Sequence, residues 1–409
     1  MSRSLSSFPP EILDCILEYL TPPYADPADE LWSRQRPSTG GVKNDRILAL
    51  ECASLISPGF RTMAQARLVR SKYVTSGKSA DYALGLGSVE EAAAGAVLAP
   101  LVRDLTIKVD FWGPRQSGYG EHHIPALASR MPNLRSLRFE RMVIEHATTV
   151  LTAVDRLERL VSLDLADLEV RSYTKYTSRD LVPTPWVHHL TVMNPNTGDI
   201  DLRLLAALFP SFTHLESITL YPLPGFIFLQ ASTNVPAHLL HLKTLSLTGE
   251  RLESLLDILD ALLSPETLQI LPTLSLAFND KLPLRRNKTF EAVGPSLRHL
   301  HWHGPTRNLE ACVRQCPKLE SLGPGHFALG GADENIWTFC PATLREVSFD
   351  TCAAALPHLK HYEQTPSRAA TLLRVRVFRK ANNRNGMMLR KKEHDAVVST
   401  SAEVELLAL

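Results

Sequence analysis

One short pattern of apolar and polar positions returns along most of the chain. Its clearest copy is Leu242-Lys-Thr-Leu245-Ser-Leu247, in which three leucines are separated by polar residues. Because side chains alternate between the two faces of a strand, Leu245 and Leu247 share one face, and Thr244 and Ser246 lie on the other. The pattern therefore predicts a short strand with one buried face and one hydrated face.

The copies follow one another at nearly regular intervals. Their middle apolar residues are Leu105, Leu137, Leu163, Leu190, Ile218, Leu245, Leu274, Leu300, Leu322, Val347 and Val375. Neighbouring copies are about 27 residues apart, within the period of about 20–29 residues that is typical of leucine-rich repeats. A single copy would mean little in a leucine-rich chain, but a regular series of them indicates a repeat protein.

Amphipathic runs between the copies predict helices at about 147–160, 202–209, 252–263 and 309–316. Units of one strand and one helix bury their apolar faces only by stacking on one another. We therefore predict an α/β fold over residues 101–380, a leucine-rich-repeat solenoid of about 11 repeats. Its parallel strands would form the concave face and its helices the convex face.

The first 75 residues lack the pattern and predict short helices instead. Apolar residues recur at helical spacing after Phe8-Pro9-Pro10, and Pro22-Pro23 ends this run. Two further helical runs follow at about 47–57 and 60–68. A stretch containing proline, serine and glycine at about 21–45 predicts a surface insertion between the helices.

This N-terminal region resembles the F-box, a family of small three-helix domains. The resemblance rests on Phe8-Pro9, Glu11-Ile12-Leu13, Ile16 and Leu20, and then on 53–57, Phe60 and Ala66-Arg67-Leu68. It implies docking on a Skp-type adaptor of a cullin–RING ubiquitin ligase. The residues expected at or near the adaptor surface are Phe8, Pro9, Ile12, Leu13, Ile16 and Leu20.

Together with the repeats, the chain is similar to F-box/leucine-rich-repeat proteins of fungi. That resemblance implies a non-catalytic receptor that holds a target protein for ubiquitin transfer. The alternative is an interaction scaffold outside the ligase, in which the N-terminal helices only cover the first repeat, because terminal repeats must be sealed from water.

The polar positions of the repeats predict a binding surface for the target on the concave face. Early repeats would present Asp104, Thr106, Lys108, Ser136, Arg138 and Glu140, and middle repeats mostly serine and threonine, among them Ser162 and Thr191. The residues we expect to contact the target are Tyr221, His299, His301, His303, Glu346, Asp350, Arg374 and Arg376. Neighbouring histidines on one strand face are about 7 Å apart, and no cysteine or carboxylate lies at a matching position, so partner contact is favoured over a metal site.

Composition narrows the class of partner. The 44 basic and 43 acidic side chains nearly balance, which gives no reason to expect a nucleic-acid or membrane partner. No apolar run approaches the roughly 18 residues of a membrane span, and the N-terminus lacks the apolar core of a secretory signal. The six scattered cysteines suit a reducing compartment, so we expect a cytoplasmic or nuclear protein, or both.

Catalytic motifs are missing from the sequence. It contains no phosphate-binding G-x-x-x-x-G-K-[ST] loop, no G-x-S-x-G elbow and no H-E-x-x-H helix, so we expect neither an enzyme nor a cofactor. A receptor for a small molecule in a deep basic pocket is a third hypothesis, which the hydroxyl-rich face disfavours. Cys312 and Cys316 have no second Cys or His pair at zinc spacing, so we expect them to be buried.

Two further segments complete the predicted organisation. Residues 76–100, rich in glycine and alanine, would form a link or cap of small helices before the first repeat. Residues 381–409 would form a basic, flexible C-terminal tail. A nuclear address, contact with an acidic partner and a solvated chain end all remain open for the basic residues of this tail.

Overall fold

Parallel strands in chain order dominate the structure, which is a computed structural model. It describes residues 17, 64, 71–74, 99–108, 130–140, 142–146, 148–172, 184–194, 204–205, 208–223, 239–279, 288–304, 308–325, 336–349, 374–379 and 404–408. These residues form an α/β fold, as the sequence predicts. The chain divides into two units, Met1–Thr197 (unit 1) and Gly198–Leu409 (unit 2), and each is described by itself.

Unit 1 holds a parallel sheet in the order β1-β2-β3-β5-β7. Its strands are β1 (Ser71–Val74), β2 (Asp104–Lys108), β3 (Ser136–Glu140), β5 (Ser162–Ala166) and β7 (His189–Met193). A second parallel pair consists of β4 (Val143–His146) and β6 (Glu169–Ser172), and helix α1 spans Thr148–Asp155. Each strand of the larger sheet therefore lies beside the strand of the preceding repeat.

Unit 2 continues the same arrangement, with its strands parallel and in chain order. The strands are β8 (Ser217–Leu223), β9 (Thr244–Gly249), β10 (Thr273–Ala277), β11 (His299–His303), β12 (Ser321–Gly325), β13 (Glu346–Phe349), β14 (Arg374–Arg379) and β15 (Val404–Ala408). The helices are α2 (Leu252–Leu262), α3 (Pro265–Ile270), α4 (Lys288–Val293) and α5 (Leu309–Val313).

Hydrogen bonds at the start of the strands repeat along both units. The backbone N–H of the first apolar residue donates to the carbonyl three residues earlier, at Val102, Leu134, Leu160, Val187, Leu242, Leu271, Leu297, Leu319 and Leu344. One carbonyl then accepts two N–H groups of the next repeat. The Arg103 carbonyl, for example, accepts from Arg135 and Ser136 at 2.7 and 3.0 Å. The same three-residue turn thus aligns successive repeats.

The core consists of stacked apolar residues in matching register. Leu105, Leu137, Leu163 and Leu190 are paired across unit 1, and the same position in unit 2 holds Ile218, Leu245, Leu274, Leu300, Leu322, Val347 and Val375. None of these side chains is more than 1% exposed. Since a fully buried leucine contributes about 1.5–3 kcal/mol, this stack is the main source of stability along the sheet.

Helix α2 covers the core beside β8 and β9 and ends where the sequence changes. Its leucines at 252, 255, 256, 259 and 262 and Ile258 are buried, as helical spacing requires of one face. Leu263 is extended, and Ser264 then caps α3 by accepting a hydrogen bond from the Thr267 N–H at 3.3 Å. Pro265 at the first position of α3 suits the helix start.

All eleven predicted strands are present, because each middle apolar residue lies in a strand. Helices occur within each of the runs at 147–160, 202–209, 252–263 and 309–316. Four strands were not predicted from the sequence, namely β1, β4, β6 and β15. β1 falls in the range assigned to the helical head, and β15 falls in the range assigned to the flexible tail.

Within the described ranges, no helix combines the length and the apolar character that crossing a membrane requires.

Candidate binding surface on the polar face of the strands

The polar residues of the strands lie on the face opposite the stacked leucines. In β9, β10 and β11 this face is partly exposed to solvent. We call it the open patch, and its residues are Thr244, Ser246, Thr248, Thr273, Ser275, Ala277, His299, His301 and His303. The three strands are in exact register, so the patch forms a grid of three rows and three columns.

The three histidines of β11 stand on one face, as their alternation with apolar residues predicts. Each is partly exposed, whereas Leu300 and Trp302 between them are fully buried. Trp302 contacts the ring of Phe278 edge to face, with 5.0 Å between ring centroids. The Phe278 N–H also donates to the His303 carbonyl at 2.9 Å. This packing beneath the sheet fixes the strand that carries the imidazoles.

The surroundings of His301 favour its uncharged form. Burial lowers the pKa of His301 below its ordinary value, and the neighbouring His299 lowers it further. A hydrogen bond with the Gly323 backbone acts in the opposite direction but is the smallest of these effects. His301 therefore supplies an uncharged imidazole at neutral pH, with one ring nitrogen able to accept a hydrogen bond.

Gly323 on β12 allows the backbone to come close to the next strand. Its φ of +116° is one that L side chains rarely adopt, and a Cβ there would lie 2.3 Å from the carbonyl oxygen of Ser348. The register between β12 and β13 shifts at this point, between Leu322 and Gly325. Because residue 323 is a glycine, no side chain stands beside His301 at this position of β12.

The open patch carries no formal charge at neutral pH when its histidines are neutral. Six of its residues on β9 and β10 are serine, threonine or alanine. Beside it on β8, Thr219 is buried and Tyr221 is partly exposed; beyond β12, Glu346 on β13 is partly exposed and Ser348 is buried. The patch can therefore offer hydroxyl and imidazole hydrogen bonds, but no strong attraction for a charged ligand.

Much of the same face is buried in unit 1, against the expectation that it is hydrated. Exposed fractions are only 8% for Ser136, 8% for Arg138, 3% for Ser162, 7% for Asp164 and 2% for Thr191. We call these five residues the closed face. Strand alternation places them correctly on the side opposite the leucines, but it says nothing about what else packs there. Only Asp104, Thr106 and Glu140 of the expected early surface are partly exposed; nothing is described of the Lys108 side chain.

The two charged residues of the closed face lie beside each other, and one of them has an ion pair with Glu140 at the edge of that face. Arg138 and Asp164 are paired in register on neighbouring strands, and the Arg138 Nε lies 3.6 Å from a carboxylate oxygen of Glu140. Because buried charges are costly unless they are paired, this cluster is structural rather than a free binding surface. Opposite charges at the middle positions of two adjacent repeats were the available sequence signal for it.

Other expected site residues fall in different places. Arg374 and Arg376 occupy positions on β14 that are in register with Glu346 and Ser348, and their side chains are outside the described set. Asp350 lies outside the described residues, as do all six expected adaptor-binding residues, Phe8, Pro9, Ile12, Leu13, Ile16 and Leu20. In the N-terminal region, Leu17 and Ala64 are helical and fully buried.

Cysteines 312, 316 and 340 are buried free thiols. The Cys316 thiol donates to the Cys312 carbonyl at 3.2 Å. Burial raises the pKa of Cys316 to about 12, and burial together with the nearby Cys316 raises the pKa of Cys312. Both thiols therefore stay protonated, which disfavours metal binding and nucleophilic chemistry. Among the described residues, no group of three or more His, Cys, Asp or Glu side chains is placed to hold a metal ion.

No protein-family model matches the chain, and no curated protein matches it either. The arrangement of the described strands and their side chains is therefore the basis on which function is inferred.

Proposed function

We propose that this protein is the non-catalytic substrate-recognition subunit of a cullin–RING ubiquitin ligase. Its F-box-like N-terminal helices would dock on a Skp-type adaptor, and the open patch would hold a target protein. Receptor activity of this kind is positioning, because a bound target lysine has a high effective concentration near the conjugating enzyme. The observation that carries the proposal is a repeated parallel sheet whose polar face is partly exposed over β9, β10 and β11 and carries hydroxyl and imidazole groups.

The repeated hydrogen bonds support a leucine-rich-repeat architecture. Each of the eleven repeats contributes one strand and one apolar residue to the stacked core, and nine of them enter the strand through the same three-residue turn. A period of about 27 residues agrees with that class. Such repeats commonly bind other proteins on an extended strand surface, because stacking exposes one row of side chains from every repeat.

The chemistry of the open patch favours a polypeptide as the ligand. Its hydroxyl and imidazole groups are spread over three neighbouring strands, which lie about 4.8 Å apart in a sheet. An extended chain laid across them meets a new hydrogen-bonding side chain at every strand. Tyr221, Glu346, Asp350, Arg374 and Arg376 would extend the contact on either side of His299, His301 and His303.

The adaptor interaction is tested with purified components. Wild-type protein should retain a purified Skp-type adaptor in a pull-down, and the double variant Ile12→Asp plus Leu13→Asp should lose it. The matched control is His299→Ala plus His301→Ala, which should keep adaptor binding because the change lies in unit 2. Circular dichroism must show that all three proteins are folded. Failure of the wild type to bind the adaptor would rule the proposal out.

A ligase-independent scaffold is the second candidate. Full burial of the helical residues Leu17 and Ala64 is compatible with it, since a helical cap needs such a buried face. Removing residues 1–70 distinguishes the two roles and spares β1, which pairs with β2. A mere cap predicts loss of the cooperative thermal transition on truncation. A separate docking domain predicts a folded remainder that no longer binds adaptor.

A further inference from the structure

The turns that lead into β2, β3 and β5 form a second surface, in unit 1. Arg103 and Arg135 directly precede β2 and β3, and the Arg103 carbonyl accepts hydrogen bonds from the first residues of the next repeat. The Arg135 carbonyl accepts in the same way from Val161 and Ser162. We call Leu101, Arg103, Arg135, Arg159 and Val161 the arginine rim. Its arginines lie on neighbouring repeats, whose strands are about 4.8 Å apart.

This surface and its flanks are strongly basic. Arg103, Arg135 and Arg159 are exposed, as are Arg130 and Arg156 a few residues earlier in the chain, against the acidic residues Asp104, Asp155 and Glu158. Within the part of the chain that the structure describes, none of the five forms an ion pair with a carboxylate. Arg159 instead donates to the side-chain carbonyl of Asn133, and Asn133 donates to the Pro100 carbonyl at 2.7 Å.

In the equivalent turns of unit 2, basic residues are paired with acidic residues of neighbouring repeats. Lys243 directly precedes β9, and its Nζ lies 2.8 Å from a carboxylate oxygen of Glu216, the residue before β8. Arg298 precedes β11 and lies 3.1 Å from Glu320, the residue before β12. Lys243 and Arg298 are therefore each paired with a carboxylate of a neighbouring repeat, whereas Arg103 and Arg135 place like charges side by side. Like charges in adjacent positions are unfavourable until an anion binds them.

Apolar side chains share the rim with the arginines. Leu101 is 41% exposed and Val161 is 38% exposed, and the partly exposed Trp186 occupies the position in its repeat that Arg159 holds in the preceding one. Arginine and tryptophan are the residues that most often dominate the energy of protein–protein interfaces. A nucleic-acid backbone would use the arginines but not the aliphatic groups. A polypeptide with acidic and apolar residues would use both.

We propose that the arginine rim binds an acidic segment of a partner protein in which carboxylates alternate with aliphatic or aromatic side chains. Carboxylates of the segment meet Arg103, Arg135 and Arg159, and its apolar side chains cover Leu101 and Val161. The site is independent of the open patch and does not require the ligase role.

The test uses the full chain and fluorescence anisotropy with three labelled probes. The first is a short peptide alternating Glu or Asp with Leu or Phe. The second has the same charge with serine replacing the apolar residues, and the third is a single-stranded DNA of matched charge. Arg103→Glu plus Arg135→Glu should weaken binding of the first peptide at least about tenfold. Arg298→Glu plus Arg345→Glu, at the same turn position in unit 2, should change it less than about twofold.

Probe preference, salt dependence and a charge-neutralised variant complete the test. The wild type should bind the amphipathic acidic peptide more tightly than either other probe, with weaker binding at high salt because ions screen exposed charges. Arg103→Gln plus Arg135→Gln keeps the experiment decisive if the charge-reversed variant does not fold, and it should show a smaller loss. Absence of wild-type binding, equal loss in the unit 2 control, or DNA binding as tight as the first peptide would each overturn the proposal.

Discussion

The polar faces of the two units share a backbone pattern but differ in access to solvent. In unit 1 the closed face buries Ser136, Arg138, Ser162, Asp164 and Thr191, whereas in unit 2 all nine residues of the open patch are partly exposed. Both sets stand opposite stacked leucines. The comparison shows that strand alternation decides which way a side chain points, but not whether that side chain remains available to a partner.

The largest effect should come from adding a charge to each face at the same strand position. Thr191 is the middle residue of β7 and Ser246 is the middle polar residue of β9. Thr191→Asp should cost roughly 3–5 kcal/mol of unfolding free energy, because it buries a charge without a designed partner. Ser246→Asp should change it by no more than about 0.5 kcal/mol. Urea denaturation measures both, and similar costs would remove the distinction between the faces.

A smaller effect is expected at the close approach of β12 and β13. Gly323→Ala should lower the unfolding free energy by about 1–3 kcal/mol, because the new Cβ meets a backbone oxygen and the φ is positive. Gly249→Ala is the control, since its Cβ would chiefly meet the movable Leu255 side chain and its φ is ordinary. Thermal melts of the two variants should therefore differ, and equal melting temperatures would contradict the described strand geometry.

Acid should weaken unit 2 modestly through His301. Its pKa is lower in the folded than in the unfolded chain, so the fold favours the neutral form. The stability that this provides is complete above the unfolded pKa of about 6.5 and is lost as the pH falls through the folded pKa. Thermal melts between neutral pH and about pH 5 should show a smaller decrease for His301→Gln than for the wild type. An identical decrease would mean that His301 is not shielded.

The smallest effects are expected at the turn positions. Lys243→Ala should cost about 0–1 kcal/mol of unfolding free energy, because its ion pair with Glu216 is exposed. Arg135→Ala should cost nothing or stabilise slightly, since it relieves repulsion with Arg103. Chemical denaturation at low salt gives the clearest reading. If Arg135→Ala lowers the unfolding free energy more than Lys243→Ala does, the claim that the arginines of the rim lack ion pairs is contradicted.

The strands could be predicted from the sequence wherever regularly spaced leucines mark the buried face of a strand. Each core residue from Leu105 to Val375 appears in its predicted strand, and the outward histidines follow from their alternation with Leu300 and Trp302. β4 and β6 were missed because Val143–His146 and Glu169–Ser172 lack the leucine spacing. These two strands pair with each other and do not belong to the larger sheet.

The candidate binding surface could be predicted from the sequence only in part. Burial of Asp164 and Thr191 depends on what packs against this face, which a local pattern does not encode. The arginine rim was missed for another reason: its residues come from turns about one repeat apart, and only the stacked hydrogen bonds bring Arg103 beside Arg135. The expectation of adaptor docking through Phe8, Pro9, Ile12, Leu13, Ile16 and Leu20 stays a prediction.

Solvent access to the two faces is the measurement that tests the central claim most directly. Ser162→Cys reports on the closed face and Ser246→Cys on the open patch, and maleimide labelling followed by peptide mass spectrometry gives the rate at each site under native conditions. The account predicts rapid labelling of Ser246→Cys and labelling of Ser162→Cys only when the protein unfolds. Equal native rates at the two positions would contradict it.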